Sequence, residues 1–188
     1  MEMIYKAARL EKQAMSESEL TLINKQSLRE LSADEVFAFR LAACDNQVDR
    51  DNERFTENTL EQLAKLYIGK TVLLDHDWSA KSQTARIYNA YVSSEGDIKR
   101  LILCCYTVRT ESMADTISAI EGGILRECSV GCTVEHVLCS ICGADQRTTL
   151  CQHRGGHEYD GKICHFDLVD ACEAYEVSLV AVPAQPEA

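Results

Sequence analysis

The sequence contains a histidine, a serine and a glutamate in an order that could support nucleophilic catalysis: His76, Ser129 and Glu176. About fifty residues separate each of them from the next. A serine hydroxyl is a weak nucleophile at neutral pH, so it needs a base within hydrogen-bond reach and a third group that fixes the tautomer of that base. The three residues therefore predict hydrolysis through a serine nucleophile.

The strands predicted around these residues limit which carboxylate could orient the histidine. If His76 lies on a strand, Asp75 and Asp77 point to the face opposite its ring and cannot easily reach it. The acid is therefore expected from another segment. In the predicted strand 175–182 the apolar residues alternate along one face, which leaves Glu176 on the other face as the candidate.

The same residues also have a structural interpretation, which the sequence leaves open. His76 could be a loop histidine, Ser129 a buried strand hydroxyl bonded to a neighbouring carbonyl, and Glu176 a solvated edge residue. Cys128 is an alternative nucleophile. It would face away from Ser129 on a strand, so only one of the two can share a face with His76.

Four blocks of sequence resemble those of a known family. They are Phe55-Thr56 before a predicted helix, GKTVLLDH at 69–76, GGILRECSVG at 122–131 and EVSLVAVPA at 176–184. In type and spacing these blocks resemble tailed-phage prohead maturation proteases, which are distantly similar to the herpesvirus assemblins. The resemblance covers most of the chain, because the blocks extend from residue 55 to residue 184.

The resemblance implies roles for the residues that match its blocks. His76 would be the base and Ser129 the nucleophile, with backbone N–H groups near Ser129 and Gly131 holding the oxyanion. Glu176 would be the third member by its block. Because assemblins use a second histidine in that place, His136 and its neighbour Glu135 are the alternatives.

The resemblance also implies a fold and a biological role. The expected fold is mixed and β-dominated, an assemblin-like β-barrel flanked by α-helices. The expected function is that of a serine endopeptidase that cleaves scaffold or the scaffolding segment of the major capsid protein, and then itself, inside the assembling prohead in the host cytoplasm. A homodimer is a further expectation, because dimerisation controls activity in assemblins.

A cluster of cysteine and histidine predicts a structural zinc site at Cys139, Cys142, Cys151 and His153. The spacing, C-x2-C-x8-C-x-H, is similar to that of a zinc knuckle. A close Cys-x-x-Cys pair can bring two thiolates to one ion, and four protein ligands leave no position for water. The chain has ten cysteines, which in a reducing compartment are more often metal ligands or buried thiols than disulfides.

Other interpretations of this cluster remain open at the level of sequence. The Cys-x-x-Cys pair could be a redox pair, and His157, Cys164 or His165 could replace His153 as the fourth ligand. Residues 138–163 are interpreted as an insertion outside the catalytic blocks, so the metal is not expected to take part in the chemistry. Two alternative functions follow: a zinc-stapled module that joins capsid or scaffold subunits without catalysis, or a zinc hydrolase.

The periodicity of the remaining sequence predicts a single domain over residues 1–188 in which strands dominate. The predicted strands are 35–43, 71–74, 85–92, 100–108, 128–134 and 175–182; the predicted helices are one that begins after Thr56 and ends at Gly69, and one at 110–120. Pro183 and Pro186 are expected to mark the end of the catalytic domain.

Charge and hydropathy exclude some classes of partner. The formal net charge is −11, which argues against nucleic acid or an anionic membrane surface as a direct partner. No run of about eighteen apolar residues predicts a transmembrane helix, and residues 1–10 lack the apolar core of a signal peptide. A location in the cytosol of the host is therefore expected.

Overall fold

The computed structural model describes residues 15–182, and its strands dominate, as the sequence predicts. Nine strands and three helices follow one another along the chain. In order they are α1 (Glu17–Asn24), β1 (Val36–Asp45), β2 (Glu53–Phe55), α2 (Glu57–Leu66), β3 (Thr71–Leu74), β4 (Ala85–Glu95), β5 (Ile98–Val108), α3 (Ala114–Glu121), β6 (Cys128–Cys139), β7 (Glu158–Tyr159), β8 (Lys162–Ile163) and β9 (Phe166–Leu179). Short 3-10 turns occupy Ala33–Glu35, Ala80–Ser82 and Glu111–Met113.

Strand β9 organises a seven-stranded sheet. One of its edges pairs antiparallel with β6 over almost its whole length, from Phe166 opposite Cys139 to Leu179 opposite Cys128. Its other edge pairs in parallel with β2 at 166–168 and with β3 at 176–179. The sheet then continues from β3 through β4 and β5 to β1. The end of β9 therefore lies between the strand that precedes His76 and the strand that carries Ser129.

Helix α2 supplies much of the core. The Thr56 hydroxyl accepts a hydrogen bond from the backbone N–H of Thr59, which is the cap expected at a helix start. Leu60, Leu63 and Tyr67 recur on one face and are completely buried among residues of the sheet. Burial of each of the two leucine side chains stabilises the fold by about 1.5–3 kcal/mol, so the packing of α2 against the sheet contributes substantially to stability.

The expectation of a closed barrel is wrong. Among residues 15–182, the edge strands β1 and β6 form no ladder with each other, so the sheet curls but stays open. They approach at one end, where the Cys128 thiol lies 3.5 Å from the Ala42 carbonyl oxygen. Beyond that point residues of both strands line a cavity of about 300 Å³, with Phe55 and Leu168 from neighbouring strands. This space lies between the two edges of the sheet.

Several predicted elements are confirmed with different bounds. Strand β3 matches its prediction, whereas the strand predicted at 175–182 is part of the longer β9, which ends at Leu179. Helix α3 begins four residues later than predicted because the 3-10 turn Glu111–Met113 precedes it. Pro183 and Pro186 lie outside the described residues. In the described part of the chain, none of the helices has the length and apolar character needed to cross a membrane.

Candidate active site and candidate metal centre

The base candidate, His76, lies in a tight turn directly after β3. The sequence left open whether His76 lies on a strand or in a loop, and the structure has it in a turn where Asp75 and His76 both have positive φ angles, of 50° and 55°. Such a conformation is unfavourable for residues other than glycine, so other contacts must hold it. The N–H of Asp75 donates to the Leu179 carbonyl oxygen at 3.0 Å, and the N–H of His76 donates to the Ser178 hydroxyl oxygen at 3.0 Å. Strand β9 therefore fixes the position of His76.

The acid candidate, Glu176, contacts the His76 ring directly. His76 Nδ1 lies 2.9 Å from Glu176 Oε1. The Glu176 side chain is only 1% exposed, whereas that of His76 is 43% exposed. The second carboxylate oxygen, Oε2, accepts a hydrogen bond of 2.5 Å from the Ser178 hydroxyl. Both oxygens of a buried carboxylate thus have partners, as burial requires.

Gly131 makes room for that carboxylate. It lies directly opposite Glu176 in the β6–β9 ladder. A Cβ atom at this position would lie 2.6 Å from Glu176 Oε1, closer than real Cβ contacts allow. The absence of a side chain at Gly131 therefore lets Glu176 point toward His76.

The nucleophile candidate, Ser129, shares the face of the sheet that carries the acid. It pairs with Ser178, and side chains of directly paired residues project to the same side. Ser129 is half-buried. Within residues 15–182 its hydroxyl makes no hydrogen bond, including none to His76. The structure therefore joins His76 to Glu176 and places Ser129 on the same face, without a hydrogen bond between Ser129 and His76.

The alternative nucleophile, Cys128, faces the apolar core. Its side chain is buried, and burial, with a smaller effect of Glu127, raises the pKa of its thiol to about 12. The thiolate is the reactive form of cysteine, so Cys128 is essentially unreactive at neutral pH. Strand alternation thus separates Cys128 from Ser129 as predicted.

The alternative third residues, Glu135 and His136, lie further along β6. His136 is seven residues from Ser129, which corresponds to roughly 20 Å along a strand. Its Nδ1 lies 2.8 Å from Asp145 Oδ2. Neither residue belongs to the His76–Glu176 cluster.

The predicted metal ligands converge. One ligand atom from each of Cys139, Cys142, Cys151 and His153 lies within 4.8 Å of the others, so this cluster could hold a metal ion. The distance from Cys139 Sγ to His153 Nδ1 is 3.7 Å. A tetrahedral ion with metal–sulfur bonds of about 2.3 Å spaces its ligands by about 3.8 Å, so the cluster needs little rearrangement to bind one.

The backbone prepares one thiol of this cluster to act as a ligand. Burial opposes ionisation of Cys139, but backbone N–H groups of Cys142 and Ile141 point at its sulfur, and the net effect is a lowered pKa. The turn is closed by a hydrogen bond of 2.8 Å from the N–H of Gly143, which has φ 72°, to the Cys139 carbonyl oxygen. A metal ligand must be a thiolate, so this arrangement favours binding.

Of the alternative fourth ligands, Cys164 lies beside the cluster. Its sulfur lies 3.9 Å from that of Cys139, but it is not within the four-atom cluster, and neither are His157 and His165. The ring of His153 packs edge-on against Tyr159 of β7, with 4.6 Å between ring centroids. The two short strands β7 and β8 thus belong to the structure that holds the cluster.

The cluster of Cys139, Cys142, Cys151 and His153, here called the Cys3His cluster, and the His76–Glu176 pair lie at opposite ends of the hairpin formed by β6 and β9. Cys139 is ten residues beyond Ser129 on β6, about 30 Å along the strand. The cysteine-rich segment connects β6 to β9, which agrees with its interpretation as an insertion. A metal ion bound there is too far away to act on a substrate at Ser129.

Comparison with known proteins gives no relative for this chain. No protein-family model matches it, and no curated protein or solved structure is significantly similar to it. The argument for function therefore rests on the residues and on their geometry.

Proposed function

We propose that this protein is a serine endopeptidase in which Ser129 is the nucleophile, His76 the base and Glu176 the residue that orients the base. The observation that carries the proposal is the contact of 2.9 Å between His76 Nδ1 and the buried Glu176 carboxylate. A carboxylate in this position fixes the tautomer with the proton on Nδ1, so Nε2 is free to accept a proton. The location of Ser129 opposite Ser178 on the same face adds support.

The mechanism follows from these roles. The hydroxyl oxygen of Ser129 attacks the scissile carbonyl carbon while His76 Nε2 takes the hydroxyl proton, and Glu176 stabilises the imidazolium that forms. Backbone N–H groups around Ser129 would hold the oxyanion. Collapse of the tetrahedral intermediate breaks the C–N bond, and His76 returns the proton to the leaving amine. Water then hydrolyses the acyl-enzyme by the same route.

The narrower proposal is a role in prohead maturation, with scaffold and major capsid protein as substrates. It rests on the resemblance of the sequence blocks to tailed-phage prohead proteases. Three of the blocks are adjacent in the fold: 69–76 forms β3 and the His76 turn, 122–131 leads into β6, and 176–184 begins in β9. This adjacency supports the resemblance, because the three strands involved are hydrogen-bonded neighbours.

We further propose that the metal of the Cys3His cluster is structural zinc. Three thiolates and one imidazole form a soft ligand set that suits tetrahedral zinc. With four protein ligands the site would be closed to water, and its distance from Ser129 agrees with a structural role.

A second candidate function is a metal-stapled assembly module without catalysis. The observation in its favour is that the Ser129 hydroxyl makes no hydrogen bond to His76. Catalytic hydrogen bonds are often long in free enzymes and tighten only with substrate, so the same observation is also expected of a serine endopeptidase without substrate.

Labelling of Ser129 by a fluorophosphonate would separate the two candidates. We expect one covalent adduct on the wild-type chain by intact mass, and none on Ser129→Ala or His76→Ala. Ser118→Ala, an exposed serine on α3, is the matched control and should label like wild type. The maturation role is tested by co-expression with capsid and scaffold proteins, where cuts should appear with wild type and not with Ser129→Ala. Intact proteins in assembled particles from both would favour the assembly module.

A further inference from the structure

A second group of metal-ligating side chains lies apart from both sites described so far. Glu135 and His136 of β6 and Asp170 of β9 each present one ligand atom, and these three atoms lie within 4.8 Å of one another. The set combines one imidazole with two carboxylates and contains no thiolate. It is therefore chemically distinct from the Cys3His cluster.

An irregularity in the β6–β9 ladder brings these residues together. Strict alternation would place Glu135 and His136 on opposite faces of β6. The register shifts just before them, between Thr133 and Val134, and then runs regularly from Val134 opposite Ala171 to His136 opposite Val169, which places Glu135 opposite Asp170. Asp170 itself has a φ of 57° in the middle of β9. Bulges of this kind redirect side chains, so neighbouring residues can converge on one point.

Two of the three ligand residues, His136 and Asp170, are held in place by hydrogen bonds to side chains outside the cluster. Asp145 Oδ2 lies 2.8 Å from His136 Nδ1, which leaves His136 Nε2 as the nitrogen available to an ion. Asp170 Oδ1 accepts hydrogen bonds from the side-chain amides of Gln62 at 3.2 Å and Asn58 at 3.4 Å. Histidines that bind metals usually bond their other nitrogen to a carboxylate or carbonyl in this way.

Asp145 is itself fixed in place. Its Oδ1 accepts hydrogen bonds from the backbone N–H groups of Val137 at 3.2 Å and Arg147 at 3.1 Å. The orientation of the His136 ring is therefore set by the fold. The His136 side chain is 43% exposed, so an ion could reach it from solvent.

The local charge also favours a cation. Glu135, Asp145 and Asp170 surround a single imidazole, and none of the three carboxylates forms an ion pair with a lysine or arginine among residues 15–182. The three carboxylates repel one another, and a metal cation bound between them relieves this repulsion.

We propose that Glu135, His136 and Asp170 form a second site for a divalent transition-metal ion such as Zn²⁺ or Co²⁺. One imidazole and two carboxylates suit such ions, and three protein ligands leave a coordination position open to water or to another ligand. The ion joins β6 to β9 and, through the outer partners, to α2 and to the cysteine-rich segment. At roughly 20 Å from Ser129 it takes no part in chemistry there.

The test is the number of ions bound by the metal-free full chain on titration with zinc alone. Wild type should bind two zinc ions per chain, and the double variant Glu135→Gln, Asp170→Asn should bind one. Both changes preserve side-chain shape, and asparagine tolerates the positive φ of Asp170. Glu173→Gln, an exposed glutamate on β9 outside the cluster, is the control and should still bind two.

Cobalt distinguishes the two sites, because only thiolate ligands give an intense sulfur-to-metal charge-transfer band. The double variant should keep this band in full while it loses the second equivalent. Cys142→Ser should weaken the band and leave the ion at His136, detected as a shift of the His136 ring resonances. The proposal is overturned if wild type with an intact thiolate band binds only one ion, or if the double variant binds as many ions as wild type.

Discussion

Glu176 is almost completely buried, yet its carboxylate reaches the half-exposed ring of His76 at 2.9 Å. The carboxylate therefore contacts, from inside the sheet, an imidazole ring that faces solvent. Such a pairing needs a gap in the opposite strand, which Gly131 provides, and a second partner for the carboxylate, which Ser178 provides. The contact therefore depends on His76, Glu176, Gly131 and Ser178, and a substitution at each of them tests it.

Glu176→Gln should remove activity with little loss of fold. The glutamine amide can donate to His76 Nδ1, which would shift the ring proton to Nε2 and leave no base for Ser129. In a serine triad the equivalent change lowers kcat by about 10⁴. We expect a loss of about 10³–10⁴ in the rate of peptide cleavage, measured beside circular dichroism to verify the fold. Retention of more than a tenth of wild-type activity would argue that Glu176 does not orient the base.

Gly131→Ala tests the space for the carboxylate. The added Cβ would lie 2.6 Å from Glu176 Oε1, so either the carboxylate or strand β6 must move. Overpacking of this kind costs about 1–3 kcal/mol. We expect a lower free energy of unfolding in urea and a large loss of fluorophosphonate labelling. Wild-type stability together with wild-type labelling would contradict the role assigned to Gly131.

Ser178→Ala tests the hydroxyl that links the acid to the backbone of the base. Ser178 is fully buried, donates to Glu176 Oε2 and accepts from the His76 N–H. Its removal leaves the buried Glu176 carboxylate without this donor, at a cost of about 1–3 kcal/mol, and takes away the acceptor of the His76 N–H. Thermal unfolding should show a clear decrease in Tm that Ser118→Ala, on the exposed face of α3, does not show. A Tm equal to that of the control would mean that the hydroxyl contributes nothing.

Sequence periodicity predicted much of this arrangement because strand alternation is a local property. It placed Glu176 on the polar face of its strand and separated Ser129 from Cys128. It did not predict the turn at His76, because two consecutive positive φ angles depend on hydrogen bonds to β9, about a hundred residues away in the chain. The role of Gly131 was missed for the same reason, since only the β6–β9 register shows that it faces Glu176.

Local sequence patterns also could not predict that the sheet stays open or that Asp145 contacts His136. Closure depends on whether β1 and β6, at opposite ends of the strand order, approach along their whole length. The Cys3His cluster, by contrast, was predictable from spacing, because its four ligands lie within fifteen residues of one another. A site formed by residues close together in the chain could thus be predicted from the sequence, whereas contacts between distant strands could not.

Cys128→Ala should leave catalysis intact. The Cys128 side chain is buried on the core face, and its thiol, with a pKa raised to about 12 by burial, carries almost no thiolate at neutral pH. Loss of one buried sulfur creates a small cavity and should cost about 1 kcal/mol of stability. The rate of fluorophosphonate labelling should stay within about twofold of wild type. A loss comparable to that of Ser129→Ala would instead assign the nucleophile to Cys128.

Disruption of the Cys3His cluster should unfold the cysteine-rich segment and leave the reactivity of Ser129 largely unchanged. Cys142→Ser with Cys151→Ser removes two ligands, so the segment between Cys139 and Cys164 should lose its order and become sensitive to proteases. Because the cluster is about 30 Å along β6 from Ser129, fluorophosphonate labelling should persist at no less than about half the wild-type rate. The paired measurement is limited proteolysis followed by mass mapping, with cuts expected within residues 140–163. Loss of labelling with a folded core would mean that the metal cluster supports the active site directly.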